Sequence, residues 1–359
     1  MKKNTTALVL VVLIAITATL FVSCRKEISP ITSPTANPSI IKIEPALGAA
    51  NTVLTISGNG LGDVKTIYFD KDSVPSGFNP VFNTDGSLIF RVPLNAVPGQ
   101  QNIVFTNGLG VKFSVPFNVL GLANISNVSN YNFVTGSILT LTGKNLDDVS
   151  AVRFHGSTEV ATIIAKTPTT LQIQMPATSL YRTTLDISNT AGTITTSQEF
   201  VSLTNNFKFF ADGFENGEQD ASWGDAGAIS TTEFKTGTAS FGKNFQGGNW
   251  HQMGFGWNTI TNNNYKYLSF WMKGGTADLP LWISTATSAN GFASFNDNAK
   301  IIVPAGVWTY FKLPLNELNL WATGTGFNQI GWRIQGPGGD RPGSNAGEKL
   351  YLDDVMLVK

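Results

Sequence analysis

The 359-residue chain has very little of several residue types on which common functional sites depend. It contains one cysteine, Cys24, so it cannot form an intrachain disulfide. Its two histidines, His155 and His251, are too few for a histidine-rich zinc site. The 24 basic and 24 acidic residues cancel, and charged residues make up only 13% of the chain. This balance gives no support for nucleic acid as a partner.

Long apolar runs are also absent, apart from one at the start of the chain. Lys2 and Lys3 precede an apolar stretch from Ala7 to Leu20, which is short for a membrane span. Cys24 ends this segment, as the cysteine of a bacterial lipoprotein signal does. Residues 1–24 are therefore predicted to be a lipoprotein signal peptide with Cys24 as the lipidation site, and a transmembrane anchor is the alternative. Residues 25–39 contain three prolines among serine and threonine, which predicts a disordered tether.

Tryptophan is missing from the first 205 residues, although the chain contains eight. Indole has a wide apolar face and one N–H donor, so it suits surfaces that bind partly apolar, partly polar ligands. A sugar ring that covers about 100 Å² of indole contributes about 2–3 kcal/mol, which by itself gives weak binding. A useful sugar site therefore lines up several rings, and the C-terminal segment contains enough of them.

An internal repeat fills the segment that lacks tryptophan. The pattern of Val53 to Leu61 recurs from Ile138 to Leu146, at an offset of 85 residues. Both copies alternate apolar and polar residues and break at glycine turns, which predicts short antiparallel strands of immunoglobulin-like sandwiches. The Gly-x-Asn-Leu-like turn resembles the IPT/TIG domain family, which implies one domain over residues 40–120 and a second over 121–204. Neither repeat contains a candidate site, so both are interpreted as spacers.

Residues 205–359 contain about nine predicted strands, which suggests a jelly roll of two packed sheets. The opening Gly213-Phe214-Glu215-Asn216-Gly217 and the closing Leu350-Tyr351-Leu352-Asp353-Asp354-Val355 resemble jelly-roll carbohydrate-binding modules. With the lipoprotein signal and two immunoglobulin-like repeats in front, the whole chain resembles the surface glycan-binding lipoproteins of Bacteroidota glycan-uptake systems. The predicted fold class is all-β, with two tandem immunoglobulin-like (IPT/TIG) sandwiches followed by a β-jelly-roll sandwich.

This resemblance implies a non-catalytic protein that is lipid-anchored in the outer membrane and captures a polysaccharide at the cell surface. It also implies a glycan-uptake transporter complex as a partner. A neutral plant β-glucan or a hemicellulose such as xyloglucan is the expected ligand, because the module has no basic cluster for an acidic polymer. The resemblance further implies a structural calcium ion held by Glu215 and Asp353, since calcium prefers oxygen ligands. An exposed acid pair is the alternative.

The alternation of apolar and polar residues along the predicted strands separates core residues from candidate glycan-binding residues. Leu281 and Ile283 face the core, so Trp282 projects from the other side of its strand. By the same argument Arg333 and Gln335 project opposite Ile334. The other candidate rings lie near strand ends or in loops. The predicted glycan-binding residues are Trp282, Arg333, Gln335, Trp250, His251, Trp257 and Trp321.

The module contains no carboxylate pair in a spacing that defines an active site. Glycosidases need two carboxylates about 5–10 Å apart, and Glu215, Glu233, Asp212 and Asp297 belong to no such motif. The chain is therefore predicted not to be an enzyme. A jelly-roll polysaccharide lyase or glycoside hydrolase and a protein-binding adhesin are the alternatives.

Overall fold

The computed structural model describes residues 34–246, 251–287, 299–322, 324–336 and 348–359. Strands dominate these residues, so the prediction of an all-β chain is confirmed. Contacts between residues divide the chain into two compact units, Met1–Gly121 and Leu122–Lys359. Cys24 and Trp250 lie outside the described residues. Among those that are described, no helix is long and apolar enough to cross a membrane.

The first unit is a sandwich of eight strands with two short 3-10 turns, Lys71–Ser73 and Pro80–Phe82. Its strands are β1 (Ser39–Glu44), β2 (Leu47–Ala49), β3 (Val53–Asn59), β4 (Val64–Phe69), β5 (Val74–Ser76), β6 (Ser87–Arg91), β7 (Gly99–Asn107) and β8 (Lys112–Leu120). The order β1-β3-β6 forms one sheet, and β2-β8-β7-β4-β5 forms the other. Leu54 and Ile56 of β3 alternate with more exposed residues and are fully buried between the sheets.

The second unit begins with another sandwich, built from residues 124–202. Its strands are β9 (Asn124–Val128), β10 (Asn132–Phe133), β11 (Ile138–Lys144), β12 (Ala151–Phe154), β13 (Val160–Lys166), β14 (Thr170–Gln174), β15 (Arg182–Thr183), β16 (Leu185–Asn189), β17 (Gly192–Thr195) and β18 (Phe200–Ser202). Seven of them form the sheet β17-β16-β12-β13-β14-β11-β9, and the others form β10-β18-β15. The apolar residues that alternate along these strands, such as Leu139 and Leu141 of β11, make a continuous core.

The tryptophan-rich segment forms a two-sheet jelly-roll sandwich. Its strands are β19 (Phe207–Phe210), β20 (Gln219–Asp220), β21 (Ala228–Ser230), β22 (Ser240–Phe245), β23 (Gln252–Thr261), β24 (Tyr267–Lys273), β25 (Leu279–Ala286), β26 (Ala299–Val303), β27 (Trp308–Pro314), β28 (Gly326–Arg333) and β29 (Glu348–Val358). A single helical turn, α1 (Leu315–Leu318), follows β27. Sheet I has the order β21-β22-β29-β24-β27, with β19 paired to β29, and sheet II has the order β20-β23-β28-β25-β26.

The core between sheets I and II follows the alternation of their strands. Leu268, Phe270 and Met272 of β24 point inward from sheet I, as the sequence predicts. Trp332 of β28 is fully buried from the side of sheet II, and its ring meets that of Phe270 edge-on at 5.0 Å. Trp332 is therefore a core residue of the sandwich.

The outer face of sheet I packs against the preceding sandwich within the same unit. Tyr131 stacks on Tyr310 at 4.7 Å and on Trp271 at 5.8 Å, and the Trp271 indole N–H donates to Asn130 Oδ1 at 2.9 Å. Only 5% of Trp271 is exposed. Since a buried indole in such a stack contributes both area and a hydrogen bond, this contact stabilises the second unit. The second repeat is thus packed on the module instead of acting as a simple spacer.

Polar groups complete the same interface. Glu199 accepts hydrogen bonds from Tyr267 Oη at 2.7 Å and from Lys312 Nζ at 2.6 Å. Asn132 Nδ2 donates to Asp354 Oδ2 at 3.1 Å, and both of these residues are almost fully buried. Burial raises the pKa of Tyr267 strongly, and its bond to the Glu199 carboxylate acts in the same direction. These directional bonds, of which the one between Asn132 and Asp354 is buried, fix one orientation between the second sandwich and the jelly roll.

Candidate carbohydrate-binding face

The outer face of sheet II presents a row of large side chains that runs across five chain segments. Trp223 forms a bridge with Gln252, Gln252 pairs with Arg333, Arg333 pairs with Trp282, and Trp282 pairs with Lys300. Residues directly opposite one another in antiparallel strands project to the same face. We call these five residues the tryptophan row. Its two indoles stand three strand spacings apart, about 14 Å between their backbones.

The two tryptophans of the row differ in their surroundings. Trp223 is 60% exposed, and two backbone bonds with Gln252, at 2.9 and 3.1 Å, hold it at the edge of the sheet. Trp282 is half-buried. Lys300 Nζ lies 5.2 Å from the centre of its ring, and a Cβ added to Gly336 would stand only 2.6 Å from the ring. The absence of a side chain at position 336 therefore lets the indole of Trp282 lie close against the backbone.

Beside the row, three glycines, Gly254, Gly256 and Gly331, leave the backbone of the outer face without side chains. We call these three residues the glycine floor. Gly254 of β23 pairs with Gly331 of β28, and Gly256 pairs with Gln329 one step further along. A Cβ at position 331 would come within 2.5 Å of the Gln252 side chain, so this amide lies flat across Gly331. The glycines thus make room for long amide side chains to lie parallel to the sheet.

Several polar atoms of this face are buried and have no hydrogen-bond partner among the described residues. They are both amide atoms of Gln252 and of Gln329, Ser284 Oγ and Gln335 Oε1. A buried polar atom without a partner costs about 1–3 kcal/mol. A concentration of such atoms on one face fits a surface whose hydrogen bonds are made to the hydroxyl groups of a ligand.

Charge on this face comes from cations. Burial lowers the pKa of Arg333 to about 10, so its guanidinium remains charged at neutral pH. His251 lies on the opposite side of the strand from Gln252 and is 4% exposed. A Cβ on Gly224 would stand 2.6 Å from its Nδ1, and burial, together with Lys243, lowers its pKa below the usual value. His251 is therefore a neutral, packed side chain behind the row at neutral pH.

The structure brings some of the predicted binding residues together and separates others. Trp282 and Arg333 are neighbours in the row, and Gln335 lies two residues beyond Arg333 and is 9% exposed. Trp257 is 50% exposed but lies five residues along β23 from Gln252, about 17 Å away. Trp321 lies at the other end of sheet II, where its indole N–H donates to Ile260 O at 2.9 Å. The role of these residues in binding stays a prediction.

Three residues of the row, Trp223, Gln252 and Lys300, were not predicted as binding residues from the sequence. Trp223 belongs to no alternating strand pattern, because it forms an isolated bridge. Gln252 lies in the sequence His251-Gln252-Met253-Gly254-Phe255, where the outward positions after it are glycines and give no polar signal. The aligned pairing of Gln252 with both Trp223 and Arg333 depends on register between distant segments.

The predicted calcium ligands each have another partner. Glu215 Oε1 lies 3.2 Å from Lys208 Nζ. Asp353 is fully buried and accepts hydrogen bonds from the backbone N–H groups of Lys235 and Thr236 at 2.8 and 3.1 Å. The described residues contain no group of three or more His, Cys, Asp or Glu that could hold a metal ion. They therefore do not present a ready set of calcium ligands, and the calcium stays a prediction.

No model of a known protein family matches the chain, and no curated protein matches it. Solved structures similar to it include a surface glycan-binding protein of Prevotella bryantii, 15% identical, with 91% of this chain and 99% of that chain covered and a TM-score of 0.45. A surface glycan-binding protein from a complex xyloglucan utilization locus of Bacteroides uniformis is 17% identical, with 90% and 99% covered and a TM-score of 0.42.

A family 29 carbohydrate-binding module complexed with mannohexaose is also similar, at 17% identity, with 42% of this chain and 89% of that chain covered and a TM-score of 0.30. The structural neighbours are thus surface glycan-binding proteins of Bacteroidota and carbohydrate-binding modules, the kinds of protein that the sequence resembles. Because these structures are at most 17% identical to the chain, a functional proposal must rest on the residues of the tryptophan row and the glycine floor.

Proposed function

We propose that the chain is a non-catalytic, cell-surface glycan-binding lipoprotein that captures a neutral polysaccharide on the outer face of sheet II. The observation that carries this proposal is the tryptophan row. Two indoles flank an amide and a guanidinium on one face, and buried amide atoms without partners surround them. Indoles cover the apolar faces of sugar rings, while Gln252 and Arg333 bond to hydroxyl groups between them.

The magnitudes suit a polymer ligand. Each indole face contributes about 2–3 kcal/mol when a sugar covers it, and each added hydrogen bond contributes about 1 kcal/mol. Lys300 is exposed, so a sugar that stacks on Trp282 can displace it or bond to its ammonium group. Because the ligand is neutral, its affinity is expected to change little with salt.

Binding is favoured over catalysis by the chemistry of the face. Two further rows of paired residues run parallel to the tryptophan row on this face, Gly254-Gly331-Ser284 and Gln219-Gly256-Gln329-Ala286. The side chains of all three rows are aromatic, amide, cationic, hydroxyl or small, and none of these described residues is a carboxylate. Glycosidases of the common type need two carboxylates beside the bond that they cleave. A polysaccharide that is bound here is therefore held and released intact.

The ligand that we propose is a neutral plant β-glucan or a hemicellulose such as xyloglucan. Among the structural neighbours, one comes from a xyloglucan utilization locus and another is in complex with a mixed-linkage heptasaccharide. The panel of polysaccharides that tests the proposal therefore contains xyloglucan, mixed-linkage glucan, a mannan and an acidic pectin. Affinity electrophoresis of the chain should show retardation in at least one neutral gel and none in the acidic gel.

The test uses the double variant Trp223→Ala/Trp282→Ala, with Trp308→Ala as control. Trp308 is a half-buried tryptophan on sheet I, outside the row. The double variant should lose retardation, and the control should keep it. Release of new reducing ends on incubation with the retained polymer would instead favour the enzyme, and wild-type migration unaffected by every polysaccharide would favour a protein-binding adhesin.

We further propose that the chain is anchored in the outer membrane by lipid on Cys24 and works with a glycan-uptake transporter. The support is the position of Cys24 at the end of the apolar segment. Cys24→Ala should move the protein from the membrane fraction to the soluble fraction or block its processing. A variant that is processed and fractionates with membranes like wild type would contradict the lipid anchor.

A further inference from the structure

A pocket separate from the tryptophan row lies at the opposite end of sheet II. It has a volume of about 280 Å³, and its lining includes Tyr265, Trp321, Asn262, Asn316 and Asn319. These residues come from the loop between β23 and β24 and from the segment around α1. The pocket therefore combines two aromatic rings with three carboxamides and has no charged lining residue among those described.

The two rings of this pocket are held in fixed, parallel positions. The planes of Tyr265 and Trp321 differ by only 9°, with centroids 6.4 Å apart. Trp321 is fixed by its N–H bond to Ile260 O at 2.9 Å and by packing on Phe327 at 5.4 Å. Both rings are half-buried. Parallel, pre-positioned ring faces lower the entropy cost of stacking a flat ligand.

The carboxamides give the pocket hydrogen-bonding capacity without charge. Asn262, Asn316 and Asn319 are exposed at its rim. Each carboxamide offers both donors and an acceptor, so the set matches the mixed donor and acceptor character of sugar hydroxyls. Asn319 follows the last residue of α1 and adopts a left-handed conformation with φ of 50°, which asparagine tolerates better than most residues.

The distance between the pocket and the row suits two sites on one polymer. Trp321 packs on Phe327, and Phe327 lies six residues before Arg333 on β28, about 20 Å away along the strand. Both sites belong to one sandwich, so their separation is fixed by the sheet. A polysaccharide must therefore extend about 20 Å beyond the row to contact both sites.

We propose that this pocket is a second sugar-binding site that takes a neutral pyranose unit of the same polysaccharide. The inference rests on the proposed function of the tryptophan row. Binding at one site raises the effective concentration of the polymer at the other, so the pocket adds affinity only for ligands long enough to reach both. A short oligosaccharide bound at the row gains nothing from it.

The test uses the full chain with xyloglucan polymer and with a xyloglucan oligosaccharide too short to span both sites. The double variant Asn262→Ala/Asn316→Ala removes two exposed amides and leaves the rings in place. Loss of two hydrogen bonds should weaken binding of the polymer roughly fivefold to thirtyfold and leave binding of the short oligosaccharide unchanged. Glu317→Ala, the exposed neighbour of Asn316 that does not line the pocket, is the matched control and should bind both ligands like wild type.

A second measurement reports on the pocket itself. Backbone hydrogen exchange of residues 315–321 should slow when the polymer binds and should not slow in the Asn262→Ala/Asn316→Ala variant. Equal polymer affinity in wild type and the double variant, with no change in exchange, would overturn the second site while leaving the row intact. Failure of the wild-type protein to bind xyloglucan and every other neutral polysaccharide of the panel would overturn the proposed function and this inference with it.

Discussion

Sheets I and II of the jelly roll each direct a tryptophan away from their common core, but the two rings have different neighbours. Trp271 of β24 and Trp282 of β25 both occupy outward positions in alternating strands. Trp271 stacks on Tyr131 of the preceding sandwich and is 5% exposed, whereas Trp282 is half-buried and lies beside Lys300 of the neighbouring strand. An outward aromatic residue thus marks a surface that something else contacts, and only the tertiary structure identifies the contact.

The same contrast extends to the polar groups of the two faces. On sheet I, Glu199, Asn130 and Asn132 of the second sandwich bond to the side chains that they meet. On sheet II, the amides of Gln252 and Gln329 are buried without such partners among the described residues. The polar groups of sheet I are thus paired across an intramolecular interface, whereas those of sheet II are the ones that the proposed glycan would pair.

The largest effect predicted from this comparison is on stability, through sheet I. Trp271→Ala removes a buried indole and one of the two N–H donors to Asn130 Oδ1, the other being the backbone N–H of Asn132. The free energy of unfolding of the second unit should therefore fall by about 3–5 kcal/mol. Urea unfolding followed by circular dichroism measures this change. Trp308→Ala, on the same sheet but half-buried, should cost clearly less. Equal losses in the two variants would contradict the interface described for Trp271.

Alternation in the sequence was sufficient to assign the faces of both strands. Leu268, Phe270 and Met272 enter the core as predicted, and so do Leu281 and Ile283. The alternation pattern could not show that Tyr131 covers Trp271, because the two residues are 140 positions apart (from 131 to 271) and belong to different domains. Sequence reasoning therefore identified which way a ring points and left open what it meets.

Trp223 and Gln252 illustrate a second limit. The alternation of apolar and polar residues around these two positions does not place either side chain on a binding face. Their alignment with Arg333 and Trp282 follows from strand register alone. Register in turn depends on packing of the whole sandwich. The sequence nevertheless pointed to Trp282 and Arg333, because apolar residues on either side fixed their direction.

A second prediction concerns the outer face of sheet II and replaces one residue of the glycine floor with alanine. Gly331→Ala would push the flexible end of Gln252 out of its position, because the new Cβ would stand 2.5 Å from that side chain. The backbone can remain in place, so the fold should survive while glycan affinity falls about tenfold, or about 1.4 kcal/mol. Calorimetric titration with the retained polysaccharide measures this. Gly213→Ala, where a Cβ meets nothing within 4 Å, is the matched control, and an equal affinity loss there would refute the specific role of the floor.

A third prediction concerns how buried carboxyl groups near the two sheets make the free energy of unfolding depend on pH. Burial raises the pKa of Glu218, next to β20 of sheet II, from 4.5 to about 7, and the Asn258 amide offsets this only in part. The folded state therefore binds this proton more tightly than the unfolded state. The resulting stability is fully present below pH 4.5 and is lost as pH rises to about 7, a decrease of about 1–3 kcal/mol.

The pKa values of Asp353 and Asp354 on sheet I are raised as well, mainly by burial, with a like charge adding to each shift: Asp354 acts on Asp353, and Asp212 acts on Asp354. The test is therefore the difference between wild type and Glu218→Gln in urea unfolding at pH 5 and pH 8. The variant should show a smaller loss of stability at pH 8 than wild type. An unchanged pH dependence would mean that Glu218 is ionised without cost in the folded protein.

The smallest predicted effect concerns calcium at Glu215 and Asp353. Since Lys208 and backbone N–H groups already satisfy these carboxylates, a bound ion should add little, and chelator should lower the melting temperature by only about 1–3 °C. Thermal unfolding with and without chelator, together with elemental analysis, measures this. A protein that contains no calcium and melts at the same temperature in chelator would reduce the pair to structural acids.

The most direct test of the contrast between the two sheets is the affinity of Trp282→Ala for the polysaccharide that wild type retains. Its indole is half-buried and outside the core, so the variant should unfold at nearly the same urea concentration as wild type. Loss of one stacking face should weaken binding by about 2–3 kcal/mol, as measured by calorimetric titration. Wild-type affinity in a folded Trp282→Ala protein would contradict the assignment of the glycan to the outer face of sheet II.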